Sequence, residues 1–340
     1  MNKLIIISGP TAVGKTRVAL ELAKKFNGEL ISADSRQVYK GMDVVTGKDL
    51  GNAQFSITNS QLQQGVSRKV KKPITVGTYT IERVPVWGLD LIEPDEAFDV
   101  STFIPFAKEV TKDIWRRRKL PIIVGGTGFY IKGLLNPYET VGIPVIANLR
   151  KELEKLPVRE LQQRLKEINF QKWEQMNVSD RSNPRRLVRA IEVGEYKKVQ
   201  SAKCQKQVAE KLYTSYLALR TVLWIGLIME KGQLKQKIAQ RVEERVNQGA
   251  VEEIKTLLNK GYGWDLPSMS AIGYRDLRPY LENKKTLEEA VEDWKLHEIQ
   301  YAKRQLTWNK KEKQIVWFDV ASKNWDNQLK LRVQKWLKTS

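Results

Sequence analysis

Residues 4–8, Leu-Ile-Ile-Ile-Ser, form an unbroken β-branched and leucine run, as a strand buried on both faces of a parallel sheet requires. Gly9 ends it. From Lys15 to Phe26 the apolar residues Val18, Ala19, Leu22, Ala23 and Phe26 recur at helical spacing, so a helix follows. Residues 29–33 repeat the strand pattern, and so does Leu120–Val124, which Gly125-Gly126 stops. Strands alternating with helices predict an α/β core with a mostly parallel sheet and helices on both faces. Residues 47–85 break this pattern with Gln, Ser, Thr, Gly and Lys around short β-prone pieces such as 74–81, and read as a surface insertion.

The texture changes again over 137–206, a charged, helix-periodic stretch almost free of glycine, with Leu149-x3-Leu153-x2-Leu156 and Leu161-x3-Leu165. It predicts an all-helical subdomain inserted into the core, which is then built from 1–136 and 207–340. Strand character returns over 214–229. Helices are expected around 233–249, 251–260 and 287–308, then a late strand at 314–319 and a terminal amphipathic helix. No internal repeat or low-complexity tract interrupts the chain.

The 340 residues carry 59 Lys and Arg against 39 Asp and Glu, a formal charge of +20, with 41% hydrophobic residues. This composition supports a sizeable core and excludes collagen-like and wholly disordered classes. A single cysteine, Cys204, forms no intramolecular disulfide, and with the single His297 it leaves no set for a structural zinc. Any metal must therefore sit on oxygen ligands, and hydrolytic triads have little to build on. No signal-peptide pattern and no membrane-length apolar run is present, so a reducing cytoplasmic setting is expected. The positive excess points to nucleic acid, with a merely solubilising surface as the alternative.

Gly9-Pro10-Thr11-Ala12-Val13-Gly14-Lys15-Thr16 fits G-x-x-x-x-G-K-[ST] between a predicted strand and a predicted helix. In such a loop backbone N–H groups converge on phosphate oxygens, the helix N-terminus adds partial positive charge, Lys15 supplies a cation and Thr16 is placed to hold Mg²⁺. Nucleotide hydrolysis would also call for an acid at a strand end. Leu120–Val124 runs instead into Gly125-Gly126-Thr127-Gly128, and Asp90 is the only obvious substitute. The chain shows equipment for holding a diphosphate but none for activating water.

Ile31-Ser32-Ala33-Asp34-Ser35-Arg36-Gln37-Val38-Tyr39 follows the second strand and sets Asp34 near the phosphate crevice. With the phosphate loop it resembles the tRNA dimethylallyltransferases. Further matches run in that family's order: Val124-Gly125-Gly126-Thr127-Gly128-Phe129-Tyr130, Asn183-Pro184-Arg185-Arg186-Leu187-Val188-Arg189, Lys237-Ile238-x2-Arg241-Val242, Ala271-Ile272-Gly273-Tyr274-Arg275 and Ala302-Lys303-Arg304-Gln305-Leu306-Thr307-Trp308.

The resemblance implies a P-loop NTPase-like core and transfer of a dimethylallyl group from its diphosphate to N6 of adenosine 37, in the tRNA anticodon loop, with Mg²⁺. It implies Asp34 as the base, with Thr127 and Arg241 holding the diphosphate opposite the loop. It also implies tRNA contacts from Arg185, Arg186 and Arg189, and a monomer. A base within the stacked loop must be flipped to be alkylated, and Ser35, Arg36 and Gln37 carry polar groups suited to reading it. Lys303, Arg304, Gln305 and Trp308 add a basic strip with an aromatic. Bland readings stand beside these: Asp34 capping a turn, Arg241 on a solvated ion-paired face, and His297 as a partly buried helix residue. An adenylate isopentenyltransferase acting on free AMP, ADP or ATP, a P-loop small-molecule kinase and a binding protein with a vestigial loop remain the rival functions.

Overall fold

In the computed structural model the described residues are 2–51, 53–58, 74, 76–135, 143–203 and 222–339. They form two compact units, Met1–Asn136 with Leu217–Ser340, and Pro137–Tyr216. Among the described residues no helix is long and apolar enough to cross a membrane.

The larger unit is a mixed α/β fold. Among the described residues its strands are β1 (Leu4–Ser8), β2 (Gly28–Ser32), β3 (Gln54–Ile57), β4 (Gly77–Ile81), β5 (Val84–Trp87), β6 (Leu120–Val124), β7 (Val222–Ile228) and β8 (Val316–Asp319). They lie in the order β3-β4-β5-β2-β6-β1-β7-β8. β1 runs parallel to β6 and β7, β2 to β5 and β6, and β7 to β8. Only β3–β4 and β4–β5 are antiparallel. β1, β2 and β6 are buried throughout, as strands covered on both faces must be.

Helix α1 (Lys15–Phe26) covers the sheet with Val18, Ala19, Leu22 and Ala23, which join Ile5, Ile7, Leu30, Ile122 and Ile225 in one core. Helix α2 (Val100–Arg116), which sequence periodicity did not single out, is capped by Asp99, whose carboxylate accepts from the Ser101 and Thr102 N–H groups. Such a cap is worth about 1 kcal/mol. α3 (Gly128–Leu135) follows the Gly-Gly-Thr-Gly turn.

The segment 47–85 is not wholly a surface insertion. Its described portions supply β3, β4 and the first residues of β5, and Val84 and Val86 join the core. The β-branched residues around Thr78–Ile81 and Val84–Val86 extend the sheet at its edge, where antiparallel pairing needs only a tight turn. Residues 59–73 of this segment lie outside the described residues, as do Cys204 and 214–221 of the expected strand.

In the smaller unit the described chain forms α4 (Ala147–Leu153), α5 (Val158–Gln175), α6 (Val178–Arg181) and α7 (Pro184–Lys203). Leu153, Leu161, Leu165, Met176, Leu187, Val188 and Ile191 make its core, and Leu153, Leu161 and Leu165 are those of the helical spacing. α5 is kinked at Asn169, whose φ and ψ of −154° and 78° are not helical.

The larger unit ends with α8 (Lys231–Asn247), α9 (Ala250–Asn259), α10 (Tyr274–Leu281), α11 (Leu287–Asn309) and α12 (Trp325–Lys338). Gly249, at φ +97°, separates α8 from α9. α11 starts on a capping box in which Thr286 and Glu289 satisfy each other's backbone N–H.

Candidate active site

β1 delivers the chain into the loop 9–14 at the carboxyl end of the sheet, where α/β proteins place their ligands. Gly9 leaves the strand at φ +150°, and a Cβ there would lie 2.5 Å from the Leu227 carbonyl oxygen on β7. The loop thus follows the sheet at a distance only glycine permits. The first-turn amides of α1 have no intrahelical acceptor, and no acidic side chain occupies that turn.

The loop borders a cavity of about 500 Å³ that brings together Lys15, Thr16, Asp34, Gly126, Arg241 and Arg245. Lys15 Nζ donates to the Pro10 carbonyl at 2.7 Å. Desolvation and the nearby Arg241 charge push its ammonium down to about 8. On the opposite wall α8 presents Lys237, Arg241 and Arg245, each four residues from the next and hence on one face. Arg241 donates to Asp49 Oδ2 at 3.0 Å and to the Gly47 carbonyl at 3.4 Å.

Gly47 takes a φ of +65°, which favours glycine, and both guanidiniums crowd it. A Cβ there would sit 2.1 Å from Arg245 Nη2 and 2.6 Å from Arg241 Nη2. Its loop is fixed from several sides. Glu253 accepts the N–H groups of Asp43, Val44 and Val45 at 2.7, 2.7 and 3.2 Å, and Tyr274 donates to the same carboxylate at 2.6 Å. Tyr274 belongs to the Ala271–Arg275 motif, so that motif serves here to hold a wall of the cavity.

Asp34 lies just past β2. Its Oδ1 accepts the Arg36 N–H at 2.9 Å, so the turn-capping reading is correct for one oxygen. Oδ2 carries no hydrogen bond among the described residues, and the side chain lines the cavity. Thr127 Oγ1 accepts the Ser35 N–H at 3.2 Å and its own N–H donates to Ala33 at 3.3 Å. Thr127 thereby ties the Gly-Gly-Thr-Gly turn to the chain that carries Asp34.

Several expected RNA readers are engaged within the protein. Gln37 accepts from Ser32 Oγ at 2.9 Å and donates to the Gly47 carbonyl at 2.9 Å, which occupies both ends of its amide. Arg36 donates to the Pro267 carbonyl at 2.8 Å. Gln305 is buried and bridges two loops, accepting the Thr11 N–H at 2.7 Å and donating to the Gly126 carbonyl at 3.1 Å. Trp308 is half-buried against Gly128. Lys303 and Arg304 are exposed on α11, and Arg304 stacks over Tyr301 at 5.8 Å.

In the smaller unit Arg185 is exposed at the start of α7, and Arg186 pairs with Asp180. Arg189 turns inward to Glu192 at 3.2 Å and to the Ile143 carbonyl at 2.8 Å. Asp90, the one substitute acid in the sequence, is not open to a metal: Lys48 and Tyr79 each hold one of its oxygens. His297 sits on α11 with Nδ1 3.0 Å from Asp276 Oδ1, away from the cavity lining.

Sequence reasoning placed Lys237 in a motif without a site role and missed Arg245 and the Gly47 wall. The four-residue spacing of Lys237, Arg241 and Arg245 was the available signal for Lys237 and Arg245.

A family model described as IPP transferase matches residues 71–312, and one described as isopentenyl transferase matches residues 2–71. The tRNA dimethylallyltransferase of Anoxybacillus flavithermus is 36% identical over 321 residues, covering 94% of this chain and 91% of that protein. That of Thermoanaerobacter pseudethanolicus is 36% identical over 341 residues, covering 98% and 97%. The crystal structure of the tRNA isopentenylpyrophosphate transferase of Bacillus halodurans superposes with a TM-score of 0.65 at 31% identity, covering 99% of this chain and 97% of its own. A eukaryotic dimethylallyltransferase acting on tRNA superposes at 0.73 with 25% identity, covering 97% and 77%. A cavity that faces a phosphate loop with a row of cations and an acid, on a chain matched from end to end in this way, has one family reading: the chain belongs to the tRNA dimethylallyltransferases.

Proposed function

We propose that the protein transfers a dimethylallyl group from dimethylallyl diphosphate to N6 of adenosine 37 in tRNA and releases diphosphate. The observation that carries this reading is the pairing, in one cavity, of surplus cations with an acid whose Oδ2 is free of hydrogen bonds among the described residues. The core is read as P-loop NTPase-like, with its loop turned to alkyl transfer instead of hydrolysis. The bond from the donor's C1 to the bridging oxygen breaks, a bond from C1 to N6 forms, and the electron pair leaves with the diphosphate. Lys15, Arg241 and the loop amides stabilise the charge gathering on that oxygen. Asp34 Oδ2 accepts the proton that N6 loses. Thr127 keeps the Asp34 segment in register with the Gly-Gly turn and so acts through Asp34's position.

Mg²⁺ fits this cavity as a substrate-borne ion. Among the described residues no cluster of three or more His, Cys, Asp or Glu side chains could hold a metal. The exposed Thr16 hydroxyl on the cavity wall is the available protein ligand, and Mg²⁺ is commonly held by one or two protein groups plus substrate phosphates. When bound it would neutralise part of the leaving charge.

A flipped adenine would approach Asp34 from solvent, and the exposed Arg185, Lys303 and Arg304 are suited to RNA phosphates. The test is incubation with dimethylallyl diphosphate, Mg²⁺ and unmodified tRNA, followed by nucleoside analysis. Isopentenyladenosine in the tRNA is expected. Product on free AMP only, or phosphoryl transfer from ATP, would overturn the reading.

A further inference from the structure

We propose that Arg245 is a second guanidinium ligand for the leaving diphosphate, standing one helical turn behind Arg241 on the wall of the cavity. The inference deepens the diphosphate reading and rests on it. Arg241 and Arg245 lie on one face of α8, and their Nη2 atoms converge on Gly47, 2.6 and 2.1 Å from where its Cβ would be. Both side chains line the cavity that contains Lys15.

Arg245 is only 6% exposed, yet it is poorly partnered for a buried cation. Its ion pair is a single 3.4 Å contact from Nη1 to Glu298 Oε1, and Nε has no partner among the described residues. A guanidinium has five N–H donors, and leaving one buried and unmet is costly. Structural arginines avoid that cost elsewhere in this protein: Arg117 meets Glu29 through both terminal nitrogens and Asp113 through Nε. Arg245 has instead the donor capacity and the position to take oxygens of an anion with several of them, and a diphosphate supplies these. Burial and the Arg241 charge push its guanidinium down to about 10, against the opposing pull of Glu298, Asp49 and Asp34, so it stays charged at neutral pH.

Glu298 then has a defined part. It holds Arg245 in place while the cavity is empty of anion, and its own charge opposes the diphosphate. The two residues should therefore have opposite effects on anion affinity, which a purely structural ion pair would not produce.

The experiment is calorimetric titration of the full chain with inorganic diphosphate at fixed Mg²⁺, for the wild type, Arg245→Met and Glu298→Gln, with tRNA affinity measured alongside. Arg245→Met should weaken diphosphate binding about tenfold or more. Glu298→Gln, which keeps a hydrogen-bond acceptor for Arg245, should tighten it severalfold, and tRNA affinity should change in neither. Diphosphate affinity in Glu298→Gln that is unchanged or weaker overturns the proposal, as does Arg245→Met binding within about twofold of wild type. If Arg245→Met does not fold, the Glu298→Gln result alone decides. A wild type that binds no diphosphate would instead overturn the functional reading beneath the proposal.

Discussion

Strand β2 carries a carboxylate near each end, and the two are treated differently. Glu29, near the amino end, is fully buried. Arg117 and Lys119 hold one oxygen, and Arg117 Nη2 and the Trp87 indole, at 2.8 Å each, hold the other. Burial alone would raise its carboxyl, but the hydrogen bonds from Arg117, Lys119 and Trp87 hold it below the ordinary value. Asp34, past the carboxyl end, keeps Oδ2 open and faces Lys15, Arg241 and Arg245 across a cavity. There the shifts run towards loss of charge, Lys15 to about 8 and Arg245 to about 10. One end of the sheet is closed on itself, while the other lacks negative charge that a substrate can bring. Buried charge by itself marks neither structure nor function; whether its partners are internal does.

The sharpest way to break this comparison is to neutralise each of the two acids in turn. Asp34→Asn should slow single-turnover transfer by about 10²–10⁴ with tRNA still bound. Glu29→Gln should leave turnover per folded molecule near wild type but cost about 3 kcal/mol of stability in urea unfolding, because Arg117 and Lys119 lose the charge they surround. Because the Glu29 carboxyl is depressed in the folded state, its stabilisation is present above the ordinary carboxylate range and fades as pH falls through the folded value.

Lys15→Met should have the opposite sign. The unfolded lysine holds its proton up to about 10.5 and the folded one only to about 8. The wild type therefore gains stability from this group as pH rises through that window, and the variant should be more stable below it, on the order of 1 kcal/mol, while losing diphosphate affinity. The smallest effect belongs to the exposed Arg185, whose replacement by Ala should reduce the salt slope of tRNA binding by about one unit or less. Arg189→Ala should instead destabilise the smaller unit, since its guanidinium is tied to Glu192 and the Ile143 carbonyl.

The central strands were legible because β1 and β6 are runs dominated by apolar residues that end at glycine, and β2 keeps that texture around the buried Glu29. The helical texture beyond residue 137 was legible because Leu153, Leu161 and Leu165 repeat at helical spacing and are fully buried. Residues 47–85 were not, because edge strands exposed on one side carry polar residues and resemble loops by composition. At the site, residues 9–16 and Asp34 stand in contiguous motifs, and the structure brings Lys15, Thr16 and Asp34 to one cavity. The internal hydrogen bonds of Gln37 and Gln305 were not legible, because a polar side chain beside a motif does not reveal its partner. Their partners are the Gly47 carbonyl, ten residues on, and the Thr11 N–H, from the far end of the chain. Arg245 was hidden for the same reason, since burial is set by tertiary packing around α8.

The central claim is that the carboxyl end of the sheet is short of negative charge until a diphosphate arrives, and Lys15 reports on it most directly. The measurement is an NMR titration of the Lys15 side chain, with and without inorganic diphosphate. The account predicts a midpoint of about 8 in the free protein and a clear upward move on binding. An ordinary lysine midpoint in the free protein, or one that diphosphate leaves in place, would contradict it.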